Sequence, residues 1–194
     1  MHEELVARLD VIERMLEEGR RTIERWAWVY VLWGVGHALG VLASFTLPAQ
    51  RVGLVWGGLM LGCGLATGVF AHRVARRQPR SSEPRLHRAL DAVWWSFAAV
   101  IVFLLITPPG PATIPQWFAM FSAAYGAAFL ASGHIVEWTP AKLNGAAWWG
   151  AAVAMKFLDA PAALLVFGAM AVVGEIGFGL WAMAHERKVL AGGG

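Results

Sequence analysis

Long apolar runs, separated by short polar or proline-containing stretches, dominate the pattern of residues after position 25. The six runs cover residues 26–47, 52–71, 89–107, 114–136, 143–158 and 160–184. Helices of these lengths, at about 1.5 Å per residue, cross a hydrocarbon layer about 30 Å thick, the fifth only marginally. Because the runs are continuously apolar and do not alternate, they predict membrane-spanning helices and not the strands of a β-barrel.

The predicted fold class is therefore all-α, an integral membrane bundle of six transmembrane helices with an N-terminal cytoplasmic amphipathic helix. We expect that helix in 1–25, the transmembrane domain in 26–186 and a short cytoplasmic tail in 187–194. A weak internal similarity groups the runs into three helical hairpins, because the odd-numbered runs begin with tryptophan clusters and the others are richer in small residues. The competing explanation for this similarity is that the apolar composition of membrane helices makes such matches common.

Lysine and arginine residues fall almost entirely on one side of the predicted bundle. Counting alternate connections places fourteen on the side of the N-terminus and two, Arg51 and Lys156, on the other. Cytoplasmic loops of membrane proteins are enriched in these residues. The asymmetry predicts a protein of a prokaryotic-type inner (plasma) membrane with both termini in the cytoplasm. Tryptophans near the run ends, Trp148 among them, are expected at the lipid headgroups.

A regular apolar seam follows the N-terminal helix. Its positions are separated by four or three residues, the spacing of a coiled coil, and they are Leu5, Leu9, Ile12, Leu16, Gly19, Ile23 and Trp26. No proline interrupts this helix, so we expect it to continue unbroken into the first span. The seam predicts a homo-oligomer or a membrane-protein partner. Alternatively, the seam packs against the rest of this chain or lies on the membrane surface. The acidic residues up to Glu18 argue against the second possibility, because an anionic membrane surface repels them.

Glycines in the second run are spaced for close helix packing. Three pairs lie four residues apart, Gly53 with Gly57, Gly58 with Gly62 and Gly64 with Gly68. In lipid, such faces let helix backbones approach closely and gain dispersion contacts. We expect this face to pack inside the bundle, and the lining of a pore is the alternative.

Two ionisable side chains lie deep in otherwise apolar runs, His37 in the first and Glu175 in the last. Each is twelve residues from an arginine at the cytoplasmic end, Arg25 and Arg187 respectively, which places both about 18 Å along their helices. Intramembrane charge is costly and usually faces protein or water. If the two helices are neighbours, a hydrogen-bonded pair could bind a ligand, an ion or a proton, or only fix the helix register. If they are not, a neutral Glu175 is expected.

A second polar pair, His134 and Glu137, lies near the cytoplasmic end of the fourth run. Residues three apart share a helical face, which suits two metal ligands. A metal site usually needs more ligands, and His72 and His185 are the candidates on that side. Haem needs axial ligands at compatible depths, and His134 is shallower than His37. We predict no resident cofactor, with a metal ion or haem as lesser alternatives.

The composition excludes several classes of protein. With 58% hydrophobic residues, 15% charged residues and a mean hydropathy of +0.54, the chain is too apolar for a soluble domain. The net charge is only +3 and the basic residues flank apolar runs, so no nucleic-acid role is expected. The sequence contains no Ser-His-Asp set, phosphate loop or zinc-protease motif, so we predict no catalytic residues and no enzyme.

The resulting expectation is a small multi-pass membrane protein that binds or translocates a small solute, an ion or a proton through the polar centre of His37 and Glu175. One alternative is a non-enzymatic accessory or regulatory subunit that docks a partner through its N-terminal helix. The other is a haem- or quinone-binding membrane subunit.

Overall fold

The computed structural model of the protein describes residues 2–77, 85–106 and 113–192, in which all regular elements are helical. The helices, numbered in chain order, are α1 His2–Arg25, α2 Ala27–Thr46, α3 Ala49–Arg77, α4 Arg85–Ile106, α5 Ile114–Ile135, α6 Thr139–Met155, α7 Ala160–Met170 and α8 Phe178–Gly192. A π-helical segment, Ala171–Gly177, joins α7 to α8, and helical backbone angles continue across both junctions. We call α7, this segment and α8 together the final helix.

Five helical stretches in the described residues are long and apolar enough to cross a membrane. They are Arg8–Thr46, which joins α1 and α2, and Ala49–Arg73, Arg88–Ile106, Ile114–Ile135 and Ala160–Glu186. Helix α6 corresponds to the fifth predicted run and has only 17 residues, a length of about 25 Å. The prediction of an all-helical chain with several membrane-length helices is confirmed.

The expected unbroken helix from the N-terminus into the first span is wrong at Trp26. Helix α1 ends at Arg25, α2 begins at Ala27, and Trp26 between them has φ −89° and ψ 1°. The amide of Val29 donates to the Trp26 carbonyl at 2.9 Å, which makes a tighter turn than an α-helix does. The bend directs α1 across the end of the bundle instead of along the axis of α2.

The core lies between α2, α5, α6 and the final helix. Helices α5 and α6 are in backbone contact, because a Cβ added at Gly133 would lie 2.7 Å from the Lys142 nitrogen and one at Gly145 would lie 2.7 Å from the Leu130 nitrogen. These two helices belong to different predicted hairpins, so the packing does not divide into three hairpin units. The centre is filled by the buried aromatic residues Tyr30, Phe129, Trp148, Phe167 and Phe178.

Helix α3 lies on the outside of the bundle, and only 6% of its most apolar stretch is buried. Its polar contacts are with α2. The indole of Trp33 donates to the Thr67 hydroxyl at 3.1 Å, and the indole of Trp56 donates to the Ser44 hydroxyl at 3.0 Å. Side-chain hydrogen bonds of this kind hold helices together in lipid, where apolar burial provides no driving force.

The expectation that the α3 glycines pack inside the bundle is wrong. A Cβ added at Gly58, Gly62, Gly64 or Gly68 would meet no atom of the described residues within 4 Å. The contacts to α2 come from other positions of α3, among them Cys63 and Thr67. Small residues permit close approach of a neighbour but do not specify which helix approaches. Among the described residues nothing packs on the glycine face.

The C-terminal half of α1 packs across the ends of α4 and α5. A Cβ added at Gly19 would lie 2.5 Å from Leu86 and 2.7 Å from Val136. The guanidinium of Arg20 donates to two backbone carbonyls, through Nε to Val136 at 3.0 Å and through Nη2 to Glu137 at 3.1 Å. Because the last carbonyls of a helix have no partner within the helix, Arg20 serves as a cap for α5.

The apolar seam of α1 is divided by this docking. Ile23 is 3% exposed and Leu16 is partly buried, whereas Leu9 is 58% and Ile12 is 53% exposed. The side chain of Leu5 lies outside the described residues. Packing within the chain therefore accounts for the C-terminal half of the seam and leaves Leu9 and Ile12 exposed.

Helix α2 and the final helix approach each other backbone to backbone. A Cβ added at Gly34 would lie 2.9 Å from the Ala171 carbonyl oxygen, and one at Gly179 would lie 2.8 Å from the Ala27 carbonyl oxygen. This close approach makes the first and last membrane-length helices direct neighbours. It also sets the separation at which side chains of the two helices meet.

Replacing Gly34 by alanine tests this contact. We expect Gly34→Ala to lower the free energy of unfolding by about 1–3 kcal/mol, because the added methyl group must push apart two backbones. The matched control is Gly150→Ala on α6, where an added Cβ meets nothing within 4 Å. Denaturant unfolding in detergent measures both variants, and an equal effect of the two would contradict the close approach.

Candidate functional site

His37 and Glu175 form the most deeply buried polar contact in the described residues. The distance from His37 Nδ1 to Glu175 Oε2 is 2.7 Å, and the side chains are 4% and 0% exposed. The sequence placed the two groups at one depth and left their adjacency open, and the close packing of α2 on the final helix brings them together. Their use as a ligand, ion or proton site remains a prediction.

Aromatic rings enclose the imidazole of His37. The ring centroids of Phe167, Trp33, Tyr125 and Trp56 lie 5.3, 5.8, 5.8 and 6.2 Å from it. Such rings keep water away and present π faces or edges to the imidazole. A protonated imidazole gains cation–π attraction from any ring that presents its face. The enclosure therefore tolerates both protonation states better than an aliphatic pocket would.

The two oxygens of the Glu175 carboxyl have different surroundings. Oε2 faces His37, whereas Oε1 is buried without a hydrogen-bond partner among the described residues. The phenol of Tyr125 interacts electrostatically with this carboxyl. The Trp148 indole nitrogen, next to Gly174, is likewise buried and unpaired in the described part of the chain.

The π-helical segment carries Glu175 and has its own polar partner. A π turn shifts the backbone hydrogen-bond register, and such turns are frequent at functional sites. The Asn144 side-chain amide donates from α6 to the Gly174 carbonyl at 2.9 Å. Asn144 is the only asparagine in the chain. A single polar amide within an apolar run is the sequence signal that could have identified Asn144 as part of the site.

Trp148 belongs to this site and not to the lipid headgroup region. Its side chain is 0% exposed, and its ring stacks on Tyr125 with centroids 4.8 Å apart. The expectation of membrane anchoring is wrong here because α6 is enclosed by α5 and the final helix on the side that carries Trp148. The neighbouring Trp149 is 49% exposed, so the two adjacent tryptophans face opposite environments.

A second histidine–glutamate pair joins the same two regions of the chain, and the sequence did not reveal it. His185 Nδ1 on α8 lies 2.7 Å from Glu24 Oε1 on α1, with side-chain exposures of 48% and 4%. The arrangement is reciprocal to the buried pair, because here the N-terminal segment supplies the carboxyl and α8 supplies the imidazole. The Trp181 ring packs 5.6 Å from the His185 ring.

The predicted pair of His134 and Glu137 is not formed. His134 is exposed, and the Glu137 carboxylate accepts a hydrogen bond from Lys142 Nζ at 2.7 Å. Glu137 lies in the turn between α5 and α6 with φ 49°, a left-handed conformation that turns its side chain away from the helical face. No group of three or more His, Cys, Asp or Glu side chains suited to a metal ion occurs in the described residues.

Surface clefts lie away from the buried pair. The larger has a volume of about 410 Å³ and is lined by Thr113, Ile114, Pro115, Gln116, Lys156, Leu158, Asp159 and Ala160. The smaller, about 390 Å³, lies on the outer face of α4. Neither of these two clefts is lined by His37 or Glu175.

Comparison with known proteins gives no relative for this chain. No protein-family model matches it, and no match is found among curated proteins or solved structures. A function for the chain is therefore argued from its own residues and their geometry.

Asn144 allows a test of the π segment. We expect Asn144→Leu to lower the free energy of unfolding by about 1–3 kcal/mol, because the Gly174 carbonyl loses its donor in an apolar core. The control is Leu143→Ala at the adjacent position, which is 66% exposed and should change stability by less than about 0.5 kcal/mol. Unfolding in detergent gives both values, and an Asn144→Leu variant as stable as the wild type would refute the role of this hydrogen bond.

The Glu137–Lys142 ion pair makes a prediction about pH. The Lys142 ammonium lowers the pKa of Glu137, and the charge of His134 contributes less. The stability gained from Glu137 is therefore present at neutral pH and is lost as the pH falls through this lowered pKa. In carboxyl NMR titrations, Lys142→Gln should raise the pKa of Glu137 further than His134→Gln does. The opposite order would show that His134 is the true partner.

Proposed function

We propose that this chain is a small multi-pass membrane protein whose His37–Glu175 pair binds a proton and couples proton exchange to movement of the helices that hold it. The observation that carries the proposal is the 2.7 Å contact between two side chains with almost no exposure. A proton is favoured over a larger ion or solute because aromatic rings enclose the imidazole and neither surface cleft reaches the pair.

The energetics of the pair limit when it can exchange a proton. With one shared proton the pair is neutral overall, whether the proton resides on the imidazole or on the carboxyl. A second proton would leave a net positive charge and loss of the proton a net negative one, and either is costly in a low-dielectric core. Exchange therefore requires a rearrangement that brings water or a polar group to the pair. The π-helical segment is the element best suited to move, since π turns are local interruptions of an α-helix.

The proposed topology has six passes, with α6 as the short fifth span and both termini in the cytoplasm. The distribution of lysine and arginine supports this orientation. The contacts at one end of the bundle also support it. Alternate passes require the N-terminal helix, the start of α4, the end of α5 and the C-terminal helix to lie on one side, and α1 contacts each of these through Gly19, Arg20 and Glu24.

Infrared difference spectroscopy tests proton binding directly. Wild-type protein in lipid should show a protonated-carboxyl C=O band that changes between acidic and alkaline pH, and Glu175→Gln should remove that band. The matched control is Glu24→Gln, which alters the second histidine–glutamate pair and should leave the band of the buried carboxyl in place. A wild-type band that persists in Glu175→Gln would overturn the proposal.

Proton flux into proteoliposomes containing a pH-sensitive dye tests the coupling. Glu175→Gln should reduce flux by about tenfold or more, which corresponds to a barrier increase of at least about 1.4 kcal/mol. His37→Gln should have a similar effect, because the two side chains act as one unit. Equal flux in the wild type and both variants would show that the pair only fixes helix register.

A non-enzymatic accessory subunit is the second candidate function, and it is favoured by the exposed half of the α1 seam. Leu9 and Ile12 project apolar surface away from the bundle, as expected of a docking element. If removal of residues 2–16 leaves proton flux and the carboxyl band unchanged, α1 serves association and not the polar centre. Loss of both in that variant would link α1 to the proton site.

A further inference from the structure

The N-terminal half of α1 exposes an apolar stripe that the other described residues of the chain do not cover. Leu9 and Ile12 occupy successive seam positions and are 58% and 53% exposed. Val6, at the edge of the stripe, is 45% exposed, and Leu16 continues it toward the bundle. The same seam is buried at Gly19 and Ile23, so the described residues cover one half of it and leave the other half exposed.

We propose that this half of α1 pairs with the same segment of a second copy of the chain, as a parallel coiled coil. In heptad terms Leu9 and Leu16 are a positions and Ile12 is a d position. Arg8 then precedes the core at g and Glu13 follows it at e. In a parallel in-register pair, a g residue faces the e residue five positions later in the other helix. Arg8 of each copy therefore faces Glu13 of the other, and the charges are opposite.

The charges beside the stripe also favour a second copy of the chain over lipid as the partner that covers it. The flanks of the exposed stripe carry Asp10, Glu13, Glu17 and Glu18. Carboxylates are repelled by the anionic surface of a membrane and prefer a cationic partner or water. The Arg8 side chain is 72% exposed and pairs with Glu4 of its own helix at 2.7 Å. An exposed ion pair of this kind is weak, so Arg8 is free to engage Glu13 of a neighbour.

Insertion in a membrane favours this pairing in two ways. All copies inserted with one orientation present α1 on the same side, so parallel pairing needs no reversal of a chain. Two heptads are too short for a stable isolated coil, but anchoring in one membrane raises the effective concentration of the segments. The same contact forms whether two copies pair or several copies close into a ring, because adjacent helices of every parallel coiled coil make the g-to-e contact.

Cysteine cross-linking in native membranes tests the pairing. In a Cys63→Ala background, which removes the single natural cysteine, Leu9→Cys and Ile12→Cys should each form a disulfide between copies on mild oxidation. The matched control is Arg14→Cys, an exposed position on the far side of the helix, which should give several-fold less cross-linked product. Equal yields at all three positions, or none at Leu9 and Ile12, would overturn the proposal.

A charge exchange tests the register and separates the second copy from other occupants. Arg8→Glu should lower the cross-linking yield of Leu9→Cys several-fold, and Arg8→Glu combined with Glu13→Arg should restore it. Absence of this rescue would exclude the parallel register. A spin label at Ile12 that is reached by lipid-soluble oxygen, but not by a water-soluble quencher, would instead place the stripe on the membrane surface and overturn the pairing.

Discussion

The contact of one imidazole with one carboxyl, both buried, is the constraint on which the arrangement of the bundle depends. Neither His37 nor Glu175 could be buried alone without a large desolvation cost. Their 2.7 Å contact requires α2 and the final helix to lie side by side. Gly34 and Gly179 make that approach sterically possible. The polar pair thus determines which helices are neighbours, and the glycines determine how near they come.

The sequence predicted matched positions for His37 and Glu175 along their helices, but little of what surrounds them. Depth depends on the distance along a helix from a membrane boundary, which the spacing of His37 from Arg25 contains directly. Helix neighbours, the π register and the role of Asn144 depend on contacts between residues far apart in the chain, and hydropathy carries no such information. The α3 glycines show the same limit, since a small-residue pattern is identical whether its neighbour is another helix, lipid or a second molecule.

The two histidine–glutamate pairs give the first and last parts of the chain a common organisation. The buried pair lies inside the bundle, and the Glu24–His185 pair lies at its end. Between them the backbones of α2 and the final helix are in contact near Gly179. The two pairs and this contact together hold the final helix to α1 and α2 along its length from Glu175 to His185.

The capping of α5 by Arg20 has a consequence for how the protein is made. The Arg20–Val136 hydrogen bond joins residues 116 positions apart. At a synthesis rate of about 5–20 residues per second, roughly 6–23 s pass between translation of the two residues. During that interval α1 lacks the part of its docking surface that α5 provides, although Leu86 of α4 is made earlier. The docking surface of α1 is thus complete only late in synthesis.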